Sequence, residues 1–233
     1  MDYLSQKDFA KNMKTFTQNK PAFTMFELVM AIVVLGILAS VSLPRLNRDH
    51  KQDAADSILA DIRHTQSLAL NDFKHDFADP RWQRAFWTIG FRFCEGSVNY
   101  YQFIGSDVDY GGEIGANESV RDAINGKETQ WSGLDNCDKG NETNPNVSNR
   151  IFLTYNHGVT AIRWQGSCAG AQYIGFDHLG RPHQGYTNSD EPNYNSYLSE
   201  DCNINFTMSD GQNFTIVITP ETGYTYILSQ EDS

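Results

Sequence analysis

Apolar positions follow three successive patterns along the chain. From Phe23 to Leu43 the residues are apolar or small, with Glu27 as the single charge. As a helix this stretch extends about 30 Å, the thickness of a bilayer core. Beyond Pro44 the apolar positions thin to Ala55, Leu59, Ile62, Ala69, Phe73 and Phe77, spaced by three, four and seven residues with charged residues between them. That spacing predicts an amphipathic helix continuing the first one as far as Phe77. Asp79-Pro80 stops it, because the residue before a proline disfavours helical geometry. Pro44 removes a backbone donor inside the pattern, so a kink or local break is expected there, and Gly36 weakens the same stretch.

After Pro80 the period falls to two. Trp87, Ile89, Phe91 and Phe93 alternate with Thr88, Gly90 and Arg92, and Val98–Ile104 follows after Cys94-Glu-Gly-Ser, which reads as a hairpin. Further strands are predicted at Ile151–Tyr155, Val159–Trp164, Gln172–Asp177, Ile204–Met208, Phe214–Thr219 and Tyr224–Leu228. Asn156-His-Gly158, Leu179-Gly-Arg-Pro182, Ser209-Asp-Gly211 and Pro220-Glu-Thr-Gly223 supply turns between them. Two polar stretches interrupt the series, a Gly/Asn/Asp-rich insertion at 105–150 and a Tyr/Asn-rich run from His183 to Glu200; loops this long are usually functional or mobile. The expected class is α+β, a long N-terminal helix packed on an antiparallel β head at residues 80–233. The insertion is a plausible contact for a partner or cargo.

Charge orients this arrangement. The first 22 residues hold Lys7, Lys11, Lys14 and Lys20 against Asp2 and Asp8, whereas the net −11 of the whole chain comes from residues beyond Pro44. A basic front before an apolar segment places the lysines on the cytoplasmic side. An acidic body lacks the clustered Lys and Arg that a phosphate backbone needs, which argues against nucleic acid as a partner. Cys94, Cys137, Cys168 and Cys202 all follow the apolar segment, and an even count in a translocated domain favours disulfides. Three connectivities are possible. The pairing Cys94–Cys137 with Cys168–Cys202 encloses one polar loop region in each bridge and is the expected one. Zinc is the competing use of these cysteines, but no C-x-x-C pair is present.

The stretch KPAFTMFELVMAIVVLGILASVSLP, residues 20–44, concentrates the functional information. A cleaved secretory signal ending near Ala39-Ser-Val-Ser and a plain membrane anchor are the ordinary readings. Neither explains why a carboxylate that costs about 3 kcal/mol at the centre of a membrane helix is kept there. Ala22-Phe-Thr-Met-Phe-Glu27, followed by the apolar run and Pro44, resembles the prepilin signature of type IV pilins and type II secretion pseudopilins. The resemblance implies that a membrane prepilin peptidase cuts residues 1–22 away between Ala22 and Phe23, and that Phe23 becomes the N-methylated terminus. It implies that Glu27 meets the terminal amine of a neighbouring subunit during assembly, and that Gly36 to Pro44 can lose helical hydrogen bonds in a filament. The family more often has glycine where Ala22 stands.

Further along, Phe176-Asp177-His-Leu-Gly180-Arg181, the strand Phe214–Ile218 and Thr222-Gly223-Tyr-Thr-Tyr-Ile227 look like the minor pseudopilins of the H type and their fimbrial relatives. Ala60-Asp-Ile-Arg-His-Thr-Gln-Ser-Leu-Ala-Leu fits a helical region of that group loosely. The usual final basic residues are replaced by Thr225 and Tyr226, which argues against a DNA-catching pilin. The implied protein is a non-enzymatic filament subunit with a pilin-like fold. Its head faces the periplasm from the bacterial inner membrane, and its partners are other pilin-like subunits in a helical filament, an inner-membrane assembly platform and the lipid bilayer. The implied role is support of protein export, with a minor pilin of adhesion, twitching or uptake, or a membrane-anchored binding domain that never polymerises, as the alternatives.

Other candidate chemistry is thinner. The six histidines form no H-x-x-x-H pair and no nucleophile elbow is present. His178 and His183 flank a Gly-Arg-Pro turn beside Asp177, where solvated turn histidines are expected rather than metal ligands. Asp107, Asp109 and Glu113 surround glycines and offer hard oxygen ligands, so calcium is the one ion considered, without a full EF-hand pattern. No other cofactor is expected.

Overall fold

The computed structural model describes residues 24–94, 96–131, 137 and 144–230; within its long helix, the side chains of residues 40–49 lie outside that description. Residues 1–44 and 45–233 form separate compact units. Helix α1 is assigned from Met25 to Leu70 without interruption at Pro44. A proline withdraws only one donor and its own φ suits a helix, so a helix can run through the kink or local break expected there.

The helix ends at Leu70, seven residues before the expected Phe77. Asn71 turns back onto the last turn, its side-chain amide donating to the Ser67 carbonyl at 2.7 Å. Asp72 is taken by Lys74 at 2.7 Å and by the Trp87 indole at 2.9 Å. The first bond satisfies a terminal carbonyl and the others tie the departing chain sideways. Phe73 and Phe77, which extended the helical spacing, are therefore not part of the buried stripe: both are exposed, Phe77 almost completely.

From Arg45 onward the chain is an α+β unit with two antiparallel sheets rather than one. The first contains β1 (Trp87–Phe93), β2 (Tyr100–Gly105), β4 (Tyr173–Phe176) and the two-residue β5 (Pro182–His183), in the order β2-β1-β4-β5. The second contains β3 (Val159–Gly166), β6 (Cys202–Met208), β7 (Asn213–Ile218) and β8 (Thr225–Ile227), in chain order. The expected strand at Ile151–Tyr155 is instead a 3₁₀ turn, Asn149–Ile151, followed by the short helix α2, Leu153–His157. Ser148 caps the turn by accepting from the Arg150 amide, and the Asn156 side chain donates to the Phe152 carbonyl at 3.0 Å. Local side-chain bonds thus override the β propensity of Ile-Phe-Leu-Thr-Tyr.

The main core forms where Ala54, Ala55, Ile58, Leu59, Ile62 and Ala69 of α1 meet the inward faces of both sheets: Ile89 and Phe91 of β1, Ile204 and Phe206 of β6, and Ile216 and Ile218 of β7. β6 shows why alternation marks a half-buried strand, with Cys202, Ile204, Phe206 and Met208 buried and the residues between them half exposed. β2 is buried on both faces. Its Tyr100 and Ile104 belong to the main core. Tyr101 and Phe103 point the other way, into a second cluster with Trp131, Cys137, Val147, Ile151 and Phe152. The polar insertion thus carries its own small core, clipped to β1 by Cys94–Cys137.

Candidate functional site

Helix α1 begins with a reciprocal cap. The Thr24 hydroxyl accepts from the Glu27 amide at 3.2 Å, while Glu27 Oε2 accepts from the Thr24 amide and hydroxyl, both at 2.9 Å. Such a box satisfies two amides that the first turn leaves without partners, and the carboxylate complements the positive end of the helix dipole. Thr24 was not singled out in the sequence, although Thr-x-x-Glu is itself the signal for this cap. All described side chains from Met25 to Ala39 are exposed, including Met25, Phe26, Ile32, Leu35 and Ile37. A Cβ built on Gly36 would meet nothing within 4 Å.

Among the described residues, no helix is long and apolar enough to cross a membrane. The expected span Phe23–Leu43 starts and ends outside them in its side chains. The expected cleavage residues Ala22 and Phe23 also lie outside the described residues, as does the side chain of Pro44.

The cysteines pair as expected, Cys94 with Cys137 and Cys168 with Cys202. The second bridge joins the loop after β3 to the first residue of β6, with both cysteines fully buried.

The two carboxyl-terminal motifs meet on α1. A tight turn closes with the Gly180 amide donating to the Asp177 carbonyl at 2.9 Å. Gln66, on the helix, donates from Nε2 to the carbonyls of Gly180 and Thr222, each at 2.9 Å. One helix amide thereby holds both loops, and Arg63 adds a bond from its guanidinium to the Thr225 carbonyl at 2.7 Å. Gln66 was missed in the sequence because its partners are backbone carbonyls more than 100 positions away.

Asp177 organises this turn from inside. Its Oδ1 accepts from the amides of Leu179 and Arg181, and its Oδ2 from the Arg181 guanidinium at 2.7 Å and from His183 Nε2 at 3.2 Å. Burial works to raise the Asp177 carboxyl, but the bonds from His183 and Arg181 outweigh it and hold the group far below the usual carboxylate range. Since the carboxylate only accepts, Nε2 of His183 donates. In a neutral ring Nδ1 then accepts from the Ser196 hydroxyl, 2.8 Å away. His183 is buried, not the solvated turn residue expected; His178, half exposed, packs edge-on against Phe73. Asp177, His183 and Ser196 contain the residue types of a nucleophilic triad. Here they join the turn to the Tyr/Asn-rich loop, with all three side chains inside the fold.

The calcium candidates Asp107, Asp109 and Glu113 are not brought together as a set. Asp107 and Asp109 do converge, but with Glu118 as the third carboxylate. Glu113 instead pairs with Arg92 at 2.5 Å. The cluster's oxygens bond to backbone amides: Asp107 to Gly111 and Gly112, Asp109 to Gly111, and Glu118 to Asp109 and Gly115. Burial pushes the Asp107 carboxyl up, against those amide bonds, and the neighbouring Asp109 and Glu118 add to the rise. Nothing in this geometry beyond the acidic cluster itself points to an ion.

No family model, curated protein or solved structure matches the chain. The functional reading therefore rests on the residues and their geometry.

Proposed function

We propose that the chain is a minor subunit of a type II secretion pseudopilus, made as a precursor, cut between Ala22 and Phe23, and N-methylated on Phe23. The observation that carries the reading is the apolar helical stretch from Met25 to Ala39, exposed throughout its described side chains and holding a single charge, Glu27, four residues after Phe23. An uncovered apolar helix needs lipid or like helices around it. In the precursor the surrounding medium is the bilayer; in the filament it is the helices of neighbouring subunits.

Cleavage creates a cationic amine on Phe23. Glu27 lies four residues on from that amine, the length of about one helical turn, so neighbouring subunits can pair amine to carboxylate and fix their axial register. Head-to-tail contacts of this kind do not close, and they generate a helical polymer. Growth of that polymer would push exported proteins toward an outer-membrane pore. The arrangement of a long helix under β strands, with the Asp177–Arg181 turn seated on Gln66, supports a pilin-like head of the H type.

Deleting the gene and measuring exoprotein release beside surface piliation tests this role. The expected result is a marked loss of exoprotein release with pili unchanged. Normal release with lost pili would contradict the secretion role and favour a minor type IV pilin.

A further inference from the structure

The Tyr/Asn-rich loop takes no part in the filament chemistry above, yet it walls two adjoining hollows on the head. One, of about 660 Å³, is lined by Gln172, Gln184, Asn193, Asn195, Ser196 and Tyr197 with small residues of the 167–171 segment, and none of its lining residues carries a charge. The other, of about 370 Å³, is walled by the rings of His75, Trp82, Phe86, Tyr194 and Tyr197. Tyr197 lines both. The charged residues in the lining of the second hollow, Asp177 and Arg181, are paired with each other.

The loop is held in place before any ligand arrives. Buried Gln83 clasps the backbone of Asn193 from both sides, accepting from its amide and donating to its carbonyl. Ser196 is tied to His183, and the Ser199 amide donates to the Ser167 hydroxyl. A preorganised wall of this kind spends little ordering entropy on binding. Two exposed side-chain amides nevertheless remain open to a ligand. No hydrogen bond among the described residues engages the side-chain amides of Gln172 or Asn195, which face the uncharged hollow.

We propose that these joined hollows form a binding site for a neutral oligosaccharide. Amides and hydroxyls suit vicinal sugar hydroxyls, which both donate and accept. The aromatic side chains of Tyr197 and Trp82 offer apolar surface for the C–H face of a pyranose, the mixture of aromatic walls and few polar groups that small-ligand sites use. A phosphate or carboxylate ligand finds no unpaired cation here. A peptide adding as a strand is also excluded, because the edge strand β5 is already covered: the Gln184 amide donates to the Ser196 carbonyl at 2.8 Å and the Leu198 amide to the Pro182 carbonyl at 3.0 Å.

Calorimetric titration of the full-length chain, held in a detergent without a sugar headgroup, tests the site with cellotriose, maltotriose and triacetylchitotriose. At least one trisaccharide should give saturable binding. Tyr197→Ala should weaken it about tenfold or more, a loss of about 1.4 kcal/mol, while Tyr197→Phe, which keeps the ring, should retain it. Asn195→Ala should weaken it as well. Tyr197 and Asn195 are exposed, so the melting temperature of each variant should match the parent and separate lost binding from lost fold. Absence of saturable binding by all three sugars, equal binding in Tyr197→Ala and Asn195→Ala, or saturation by the tripeptide Ala-Tyr-Ala in place of the sugars would overturn the proposal.

Discussion

Replacing Glu27 with Gln is expected to leave the chain inserted, cut and folded, yet to reduce its incorporation into filaments about a hundredfold or more. The magnitude follows from breaking an ion pair inside an apolar bundle, which costs about 3–5 kcal/mol because the remaining charge, here the Phe23 amine, is left without a counter-ion. Glutamine separates this effect from the local one. It still offers a side-chain oxygen to the Thr24 amide, so the reciprocal cap seen at the helix start survives. Thr24→Ala is the converse control, removing the Thr24 hydroxyl from the cap at a cost of about 1 kcal/mol while keeping the charge. Crosslinking of subunits in membranes and in sheared filaments gives the readout. If Glu27→Gln assembles as well as the parent and Thr24→Ala does not, Glu27 serves its own helix and not its neighbour.

Gly223→Ala should be among the most damaging small substitutions in the head, destabilising it by about 3–5 kcal/mol. Two costs add. Gly223 has φ of +63°, a conformation that residues with a Cβ rarely adopt. Its Cβ would also strike the Gly180 carbonyl oxygen and lie 2.6 Å from Gln66 Nε2. The clash falls on backbone and on the amide that holds both motif loops to α1, so relief requires those loops to separate. Gly211→Ala isolates the first cost, since Gly211 has φ of +82° in open space; it should lose only about 1 kcal/mol. Denaturant melts of the two variants, compared at the same pH, give the difference directly. Equal losses would mean that close approach at Gln66 contributes nothing.

The contrast between these glycines shows what was legible in the sequence. Strand positions at Trp87–Phe93 and Phe214–Thr219 were readable because one buried face imposes a period of two, and both strands formed within one residue of expectation. The turn at Ser209-Asp-Gly211 was equally readable, because its chemistry is local. The end of α1 was misread because Phe73 and Phe77 continued the helical spacing while serving an exposed segment, and nothing periodic marks Asn71 as a stop. Ile151–Tyr155 was misread because composition favoured a strand and side-chain bonds at Ser148 and Asn156 decided otherwise. Two sheets could not be told from one, since strand alternation says which side is buried and not which strands pair.

The head's polar contacts were least legible. Gln66, Asp177, His183 and Ser196 are joined across loops whose approach depends on the whole fold. Glu118, and not Glu113, joins the acidic cluster, while Glu113 pairs with Arg92 on β1. At the helix start the opposite holds. There the spacing of Ala22, Phe23 and Glu27 is a local property of the chain, and the one structural addition is that Thr24 and Glu27 cap each other.

The central proposal, processing at Ala22–Phe23 and assembly through the new terminus, is tested most directly by the intact mass of the mature protein with sequencing of its amino-terminal peptide. The expected result is a chain starting at N-methylated Phe23, with Glu27 as its fifth residue. A chain retaining Met1, or one beginning near Ser42, would contradict it.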